Sequence, residues 1–233
     1  MSVEGETVFM PGARGTVSET HERVAGLLQD YAHARVLEIG CGTGHELAEL
    51  AERFPNAEFT GVDISERNIA TARTHCAPVQ WYTCDYLAFD GGSFDVIAAR
   101  STFQYILGDD SALAQKLAAD VKPSGVIVAE LPYDCVWNRG LIVLRRALLR
   151  LRLLQADTML LRIAALLYRG WSQAALAARL EYFFLPTRRL SGRKFDTLMA
   201  RAGLAATERQ RTRSPSIAKL RHELVLFIRD RAS

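Results

Sequence analysis

The sequence lacks an apolar run of the roughly 18–20 residues that a membrane-spanning helix needs, so no transmembrane segment is expected. Its first residues are acidic and lack the apolar core of a secretory signal, which predicts a cytoplasmic location. Cysteine is also scarce. The four thiols show no CxxC spacing and no paired histidines, which indicates reduced cysteines and no metal site.

Charge is unevenly distributed, although the net charge is only +3. Residues 1–133 contain 9 basic and 19 acidic side chains, whereas residues 134–233 contain 20 basic and 7 acidic ones. Such asymmetry is compatible with an anionic partner for the basic half, such as a membrane surface or a carrier protein. A second interpretation stays open, in which one fold simply pairs its two halves.

Strand and helix patterns alternate along most of the chain. An amphipathic helix at 17–32, with Ser18 as its N-cap, comes first. Pro123-Ser124-Gly125 is predicted to be a turn that leads into the fifth strand. The alternation predicts an α/β protein with a parallel sheet covered on both faces. The predicted strands are 36–39, 57–63, 78–84, 94–99, 126–131, 204–212 and 222–229, and the helices between them are 45–53, 66–74, 109–120 and 191–202.

A glycine-rich turn follows the first strand and opens a helix. Gly40, Gly42 and Gly44 allow a ligand to lie against bare backbone, because glycine has no Cβ and tolerates positive φ. The helix N-terminus behind them favours an anionic or carboxylate-bearing ligand. A dinucleotide fingerprint would need glycine at position 45, where this chain has His45, so that fingerprint fails by one residue.

The pattern Glu38-x-Gly40-x-Gly42-x-Gly44, with acids Asp63 and Asp85 at the ends of the next two strands, resembles the class I S-adenosylmethionine-dependent methyltransferases of the small-molecule type. The resemblance covers residues 36–131. It implies a single domain over 1–233 with a Rossmann-like, seven-stranded, mostly parallel sheet whose last strand is antiparallel. It also implies an N-terminal lid helix at 17–32 and a helical cap at 136–190, inserted after strand five.

The resemblance implies S-adenosylmethionine as the cofactor and assigns the loop to its methionine moiety. Asp63 lies 19 residues after Gly44, where an acid can accept both ribose hydroxyls. Asp85 would accept from the adenine amino group, and the Tyr86 backbone N–H would donate to a ring nitrogen. The full set of predicted cofactor-binding residues is Glu38, Gly40, Cys41, Gly42, Gly44, Asp63, Ile64, Asp85, Tyr86, Arg100 and Ser101.

The methyl acceptor is less well defined. The Asn/Asp-Pro-Pro-Tyr/Phe segment of the amino-methyltransferases that act on nucleic acid bases and glutamine is absent after strand four, where this chain has Phe103-Gln104-Tyr105. No histidine base is available at that position. Gln104 and Tyr105 are candidates to orient a substrate, although Tyr105 equally suits a core role. The candidate catalytic residues are Tyr105, Gln104 and His21, and the candidate pocket residues are Phe103, Tyr133 and Trp137.

A basic amphipathic helix at 139–155 is the predicted first element of the cap. It suits a lid with a solvated basic face, or a docking surface for an anionic partner. The leading hypothesis is methyl transfer to a hydroxyl or amine of a small, fairly apolar metabolite. The alternatives are membrane- or carrier-associated methylation of a lipid or quinone-type precursor, with the enzyme peripheral at a membrane, and an RNA-binding methyltransferase or non-catalytic RNA module. Nucleic acid is disfavoured because no appended RNA-binding domain is recognisable.

Overall fold

The structure is a computed structural model that describes residues 18–75, 77–152, 187–212 and 219–229. Residues 1–17 and the part of the predicted cap from residue 153 to residue 186 lie outside the described residues. The described elements, in chain order, are α1 (Glu19–Leu28), β1 (Arg35–Ile39), α2 (His45–Arg53), β2 (Glu58–Asp63), α3 (Glu66–Ala72), β3 (Val79–Thr83), a 3₁₀ helix (Tyr86–Ala88), β4 (Phe94–Arg100), α4 (Asp110–Asp120), β5 (Val121–Pro132), α5 (Val136–Arg152), α6 (Arg193–Arg201), β6 (Leu204–Arg211) and β7 (His222–Arg229).

The seven strands form one sheet in the order β3-β2-β1-β4-β5-β7-β6. The first five strands pair in parallel, whereas β7 is antiparallel to both of its neighbours, β5 and β6. The predicted Rossmann-like sheet is therefore confirmed. This order brings the carboxyl ends of β1, β2, β4 and β5 to one edge, which is where open α/β sheets bind ligands.

Local capping explains where the predicted helices begin. The Ser18 side chain accepts a hydrogen bond from the His21 backbone N–H at the start of α1. Ser65 caps α3 in the same way by accepting from Asn68. These side chains satisfy backbone donors that have no partner within the helix. At the other end of the chain, Gly203 follows α6 with a φ of 81°, the left-handed conformation that ends many helices.

The predicted turn at residues 123–125 is wrong, because β5 begins earlier, at Val121. Val121 pairs with Phe94 and Val126 pairs with Val96, so the register shifts between these two pairs. The extra residues bulge out of the ladder within a continuous strand. Gly125 makes the bulge possible, since a Cβ there would lie 2.9 Å from the Phe94 carbonyl oxygen.

Alternation along the strands places two apolar layers on opposite sides of the sheet. One layer packs Ile97, Ala129 and Phe227 against α4 and α6. The other packs Val36, Ala98 and Leu224 against α1 and α2, and is called the α1 face below. Within the described ranges, none of the helices combines the length and apolar character that crossing a membrane requires.

Candidate cofactor and acceptor site

The glycine turn after β1 has the backbone conformation that its sequence predicts. Gly40, Gly42 and Gly44 have φ values of 72°, 57° and 72°, all in the left-handed region that favours glycine. The backbone N–H groups of Gly40 and Cys41 both donate to the Val62 carbonyl oxygen, at 2.7 and 3.1 Å. The turn is therefore anchored to β2, and Gly44 opens α2.

Packing within the protein also requires two of these glycines. A Cβ on Gly40 would lie 2.4 Å from the Thr102 hydroxyl oxygen, just beyond β4. A Cβ on Gly44 would lie 2.4 Å from the Trp81 ring of β3. Since ordinary van der Waals contacts need about 3.5–4.0 Å, neither position has room for a side chain. The sequence predicted these glycines from ligand approach alone and did not reveal the contacts with Trp81 and Thr102.

Asp63, at the end of β2, holds the glycine turn as well as facing the ligand edge. Its Oδ2 atom accepts from the Gly42 N–H at 2.9 Å, and its Oδ1 atom accepts from the Ser65 N–H at 2.9 Å and the Asn68 amide at 3.2 Å. A carboxylate has about four acceptor positions, so capacity for a ligand hydroxyl remains. Ile64, next along the chain, is 70% exposed.

Asp85 and Tyr86 follow β3 at the same edge. The Asp85 side chain accepts from the Leu87 N–H at 3.0 Å and so caps the 3₁₀ helix. The Tyr86 side chain is buried, and its hydroxyl donates to Asp120 at 2.9 Å. Burial, together with that carboxylate, raises the pKa of Tyr86 far above its usual value. The Tyr86 side chain is therefore structural, and only its backbone is left for the predicted adenine contact.

Cys41 lies inside the glycine turn with a buried side chain. Burial, with smaller contributions from the Glu38 and Asp63 carboxylates, raises the pKa of its thiol well above the usual value. A neutral thiol is a poor nucleophile. Cys41 therefore acts as a small packing residue of the turn.

Four charged or ionisable side chains stand side by side on the α1 face at the ligand edge. They come from four neighbouring strands, and we call them the polar row: Glu38 (β1), Arg100 (β4), Glu130 (β5) and His222 (β7). Strand alternation places each of them on the side of Val36, Ala98, Val128 and Leu224, respectively. The pairing of Arg100 with Glu130 in the β4–β5 ladder brings the middle members directly together.

The first turn of α1 contacts the carboxylates of this region. His21 Nε2 lies 3.1 Å from Glu38 Oε1. The Ser18 backbone N–H donates to Glu46 Oε1 at 3.0 Å, and Glu46 Oε2 lies 2.6 Å from the Arg100 guanidinium. The second Glu38 oxygen, Oε2, is buried without a hydrogen-bond partner among the described residues. Glu38 therefore has one oxygen held by the helix and one available to a ligand.

Thr20 extends the contact of α1 to the polar row, because its hydroxyl donates to Glu130 at 2.9 Å. His21 itself is buried at 1% exposure. Burial alone would lower its pKa, but the Glu38 and Glu46 carboxylates outweigh burial, and the net shift is upward despite opposition from Arg100. His21 therefore lies beside Glu38, whose carboxylate favours the protonated form of the imidazole. The substrate contact predicted for it stays a prediction.

The segment after β4 is divided between the core and the ligand edge. Phe103 is 1% exposed and packs on Phe195 in the layer opposite α1, so it contributes to the core and is not part of the pocket wall proposed below. Gln104 is fully buried, and neither atom of its amide has a hydrogen-bond partner among the described residues. Tyr105 is half-buried. Ser101 has a φ of 53°, which marks a sharp backbone turn where β4 ends.

Arg189 fixes the segment that contains Gln104. Its guanidinium is 1% exposed and donates to the carbonyl oxygens of Phe103 and Gly108 at 2.9 and 3.0 Å, with Ile106 as a further acceptor. It also lies 2.7 Å from Asp110. No local sequence pattern indicates this role, because the partners lie about eighty residues earlier.

Tyr133 and Trp137 follow β5 at the ligand edge, as predicted. Tyr133 is half-buried beneath the Arg211 guanidinium, which lies 5.2 Å from its ring, and Trp137 is 40% exposed beneath Arg221 at the same distance. Between them, the buried Asn138 amide donates to the carbonyl oxygens of Tyr133 and Arg221 at 2.7 and 2.8 Å. These contacts bring the start of α5 against the residue that precedes His222.

Sequence reasoning missed four residues that the fold brings to this edge: Glu46, Glu130, Arg189 and His222. The positions of Glu130 near the end of β5 and of His222 at the start of β7 were the available signals. Among the described residues, no group of three or more histidine, cysteine, aspartate or glutamate side chains is arranged to hold a metal ion.

Comparison with known proteins gives a consistent result. Residues 36–125 match the family described as "Methyltransferase domain". A trans-aconitate 2-methyltransferase of Deinococcus radiodurans is 32% identical over 46% of this chain and 41% of its own length. A malonyl-[acyl-carrier protein] O-methyltransferase of Anoxybacillus flavithermus is 31% identical over 47% of each chain. The chain thus spans less than half the length of these curated relatives.

This chain also matches the solved structure of magnesium protoporphyrin IX methyltransferase from Synechocystis PCC 6803, with bound SAH. The match covers 96% of this chain and 91% of that chain. Its TM-score is 0.60 at 15% sequence identity, which shows a shared fold. The family match agrees with the predicted resemblance over residues 36–125, and the solved structure confirms the predicted fold. The assignments of individual residues to cofactor and acceptor stay predictions.

Proposed function

We propose that this chain, whose residues 36–125 match a methyltransferase domain, transfers the methyl group of S-adenosylmethionine to a small, fairly apolar molecule. The observation that carries the proposal is the pairing of a left-handed glycine turn with a buried, unpartnered carboxylate oxygen, Glu38 Oε2. An isolated buried acceptor is costly unless a donor reaches it. The ammonium group of a bound methionine moiety is such a donor.

The residues present suit the cofactor along its whole length. Glu38 would accept from its ammonium group, the glycine turn would approach its carboxylate, and Asp63 would use its remaining acceptor capacity on the ribose. Ile64 would cover the adenine and Asp85 would accept from the adenine amino group. When bound, the cofactor supplies a methyl group that is activated by a positively charged sulfur.

The tasks left to the protein are positioning and exclusion of water, since the methyl donor is already reactive. The first turn of α1 lies over Glu38 through His21 and closes this side of the site. Arg189 holds the segment after β4 and with it the buried Gln104 amide. An unsatisfied amide has both donor and acceptor capacity, so Gln104 is suited to orient an acceptor. Tyr105 and Tyr133 would line the same pocket.

A second candidate function is methylation at a membrane surface, of a lipid or quinone-type precursor. Apolar side chains of α5 are exposed next to the ligand edge, with Val136 at 88%, Val143 at 65% and Leu144 at 51% exposure. Arginines interleave with them, which is the composition of an interfacial helix. The relative named for malonyl-[acyl-carrier protein] supports the other anionic partner predicted for this helix, a carrier protein.

Titration calorimetry with S-adenosylmethionine tests the proposed function. The chain should bind the cofactor, and Asp63→Ala should weaken binding at least about tenfold because charged hydrogen bonds are lost. Asp90→Ala, at an exposed aspartate in a surface loop, is the matched control and should bind as the wild type does. Absence of binding by the wild type would overturn the proposal. Equal affinities of the two variants would remove Asp63 from the site.

Flotation with vesicles tests the second candidate. Retention on vesicles that contain anionic lipid, reduced by Val143→Glu combined with Leu144→Glu, would favour the membrane function. Vesicles of neutral lipid provide the control for the electrostatic part of binding. A chain that does not float with anionic vesicles argues against this alternative and leaves an acceptor free in solution.

A further inference from the structure

His222 lies at the β7 end of the polar row, and the hydrogen bond of its ring defines which ring nitrogen carries the proton. Its Nδ1 atom lies 2.9 Å from the Leu220 carbonyl oxygen. A carbonyl oxygen can only accept, so Nδ1 carries the proton and Nε2 has a free lone pair. Nε2 is buried and has no hydrogen-bond partner among the described residues. A neutral imidazole in this tautomer is a proton acceptor that lacks a proton donor.

The backbone around His222 is held firmly. The Arg221 carbonyl oxygen accepts from the Tyr133 N–H at 3.2 Å and from the Asn138 amide at 2.8 Å. The Arg221 N–H donates to Asn138 Oδ1 at 2.8 Å, and the His222 carbonyl oxygen accepts from Thr212 at 3.1 Å. Asn138 is fully buried and has these donor and acceptor groups satisfied. Such fixed geometry is what a general base requires.

We propose that His222 is the general base of methyl transfer and that the acceptor is therefore a hydroxyl compound. This inference rests on the proposed function of the site. As the acceptor oxygen forms its bond to the methyl carbon, the carbon–sulfur bond breaks and its electron pair goes to sulfur. The hydroxyl proton moves to His222 Nε2. The products are a methyl ether, a neutral thioether cofactor and an imidazolium, which returns its proton to solvent.

The charges that face His222 suit this cycle. Burial lowers the pKa of His222, and Lys219 before β7 and Arg145 on α5 act in the same direction, so the resting imidazole is neutral. Glu130 on β5 and the Leu220 carbonyl oxygen act in the opposite direction and would stabilise the imidazolium once the proton has moved. Glu130 is in turn held by Thr20 of α1. The resting state is thus a base, with a carboxylate in place for the charged state.

Nitrogen-15 NMR of the histidine-labelled chain tests the tautomer directly and needs neither cofactor nor acceptor. At neutral pH the His222 signals, assigned by their loss in His222→Gln, should show a protonated Nδ1 and an unprotonated Nε2. The titration midpoint should lie below that of free histidine. A protonated Nε2, or a charged ring at neutral pH, would overturn the proposal.

Two acceptors of the same shape but different acidity distinguish a general base from a residue with only a structural role. A naphthol must lose its proton, whereas the corresponding naphthalenethiol is already ionised at neutral to mildly alkaline pH. In His222→Gln, turnover of the naphthol should fall about 100-fold or more, and turnover of the thiol should stay within about threefold of wild type. Equal losses with both acceptors, or no loss with either, would overturn the role of His222.

Two further readouts keep the inference distinct from the proposed function. His222→Gln should bind S-adenosylmethionine as tightly as the wild type, because the residue lies on β7, away from the glycine turn. Failure of the wild type to bind the cofactor would overturn the proposed function. A wild type that binds the cofactor but methylates naphthylamine or naphthoic acid and not naphthol would overturn the inference alone.

Discussion

The ligand edge of the sheet has two ends that are built in different ways, one proposed to hold the methyl donor and the other proposed to hold the acceptor. The donor end, formed by the glycine turn with Glu38, Asp63 and Ile64, comes from one short stretch of chain and consists mostly of backbone. The acceptor end, formed by Gln104, Glu130, Arg189 and His222, consists of single side chains from four distant segments. The donor end can therefore be recognised locally, whereas the acceptor end exists only after folding.

The two ends also differ in how many of their buried polar atoms have hydrogen-bond partners within the protein. At the donor end, missing side chains at Gly40 and Gly44 make room for Thr102 and Trp81, and the turn donates its N–H groups to β2. Glu38 Oε2, beside the glycine turn, is buried without a partner among the described residues, whereas at the acceptor end this holds for both polar atoms of the Gln104 amide and for His222 Nε2. Unsatisfied buried polar groups are unusual in folded proteins and mark places where a ligand is expected. The difference predicts that steric changes damage the donor end most and that polar changes act mainly at the acceptor end.

The largest effect is expected from Gly44→Val. A β-branched residue at a φ of 72° is strained, and its Cβ would overlap both Trp81 and Ala72. We expect a loss of about 4–6 kcal/mol in the free energy of unfolding from backbone strain and overpacking together, with loss of cofactor binding. Chemical denaturation and calorimetry measure the two effects.

Gly26→Ala is the matched control for this steric comparison. Gly26 lies within α1 and a Cβ there would meet nothing within 4 Å. Alanine in a helix interior should stabilise the protein by about 0.5–1 kcal/mol. If Gly44→Val matched Gly26→Ala in its free energy of unfolding and in its affinity for the cofactor, steric fit would not be what fixes the donor end.

Arg189→Met is expected to have the second largest effect and should act at the acceptor end. It removes a buried cation from three carbonyl oxygens and from Asp110. We expect a loss of about 3 kcal/mol in the free energy of unfolding, with faster hydrogen exchange in residues 103–110. Arg189→Lys keeps the charge but not the planar donor set, so its free energy of unfolding should lie between those of the wild type and Arg189→Met. Equal stability of wild type and Arg189→Met would exclude this role.

The same contrast explains how much the sequence could predict. The strands, the glycine turn and the acids at 63 and 85 follow from local patterns, and the structure has all of them within a few residues of the predicted bounds. The bulge at 123–125 was predicted as a turn because Pro-Ser-Gly usually ends an element, whereas pairing with β4 continues the strand. Arg189 could not be assigned, since its partners lie roughly eighty residues away in the chain. His222 could not be assigned either, because Asn138, which holds the neighbouring Arg221 in place, is 83 residues away from Arg221.

His21→Gln tests the contact between α1 and the donor end through pH. Burial alone would lower the pKa of His21, but the neighbouring carboxylates outweigh burial and leave this pKa raised in the folded state. The imidazolium therefore contributes stability. This contribution is complete below the unfolded value of about 6.5 and is lost as pH rises through the raised folded value. We expect the free energy of unfolding of the wild type to exceed that of the variant by about 1–2 kcal/mol at low pH, with a smaller difference at alkaline pH. A difference that does not change with pH would contradict the ion pair with Glu38.

The smallest effect is expected from Ile64→Ala, and it separates stability from binding at the donor end. Ile64 is 70% exposed, so its truncation should change the free energy of unfolding by less than about 0.5 kcal/mol. If the side chain covers the adenine, as proposed, the cofactor should bind about fivefold more weakly because roughly 1 kcal/mol of apolar contact is lost. Calorimetry on the folded variant measures this directly. An unchanged affinity would show that the adenine does not reach Ile64, and would confine the donor end to the glycine turn, Glu38 and Asp63.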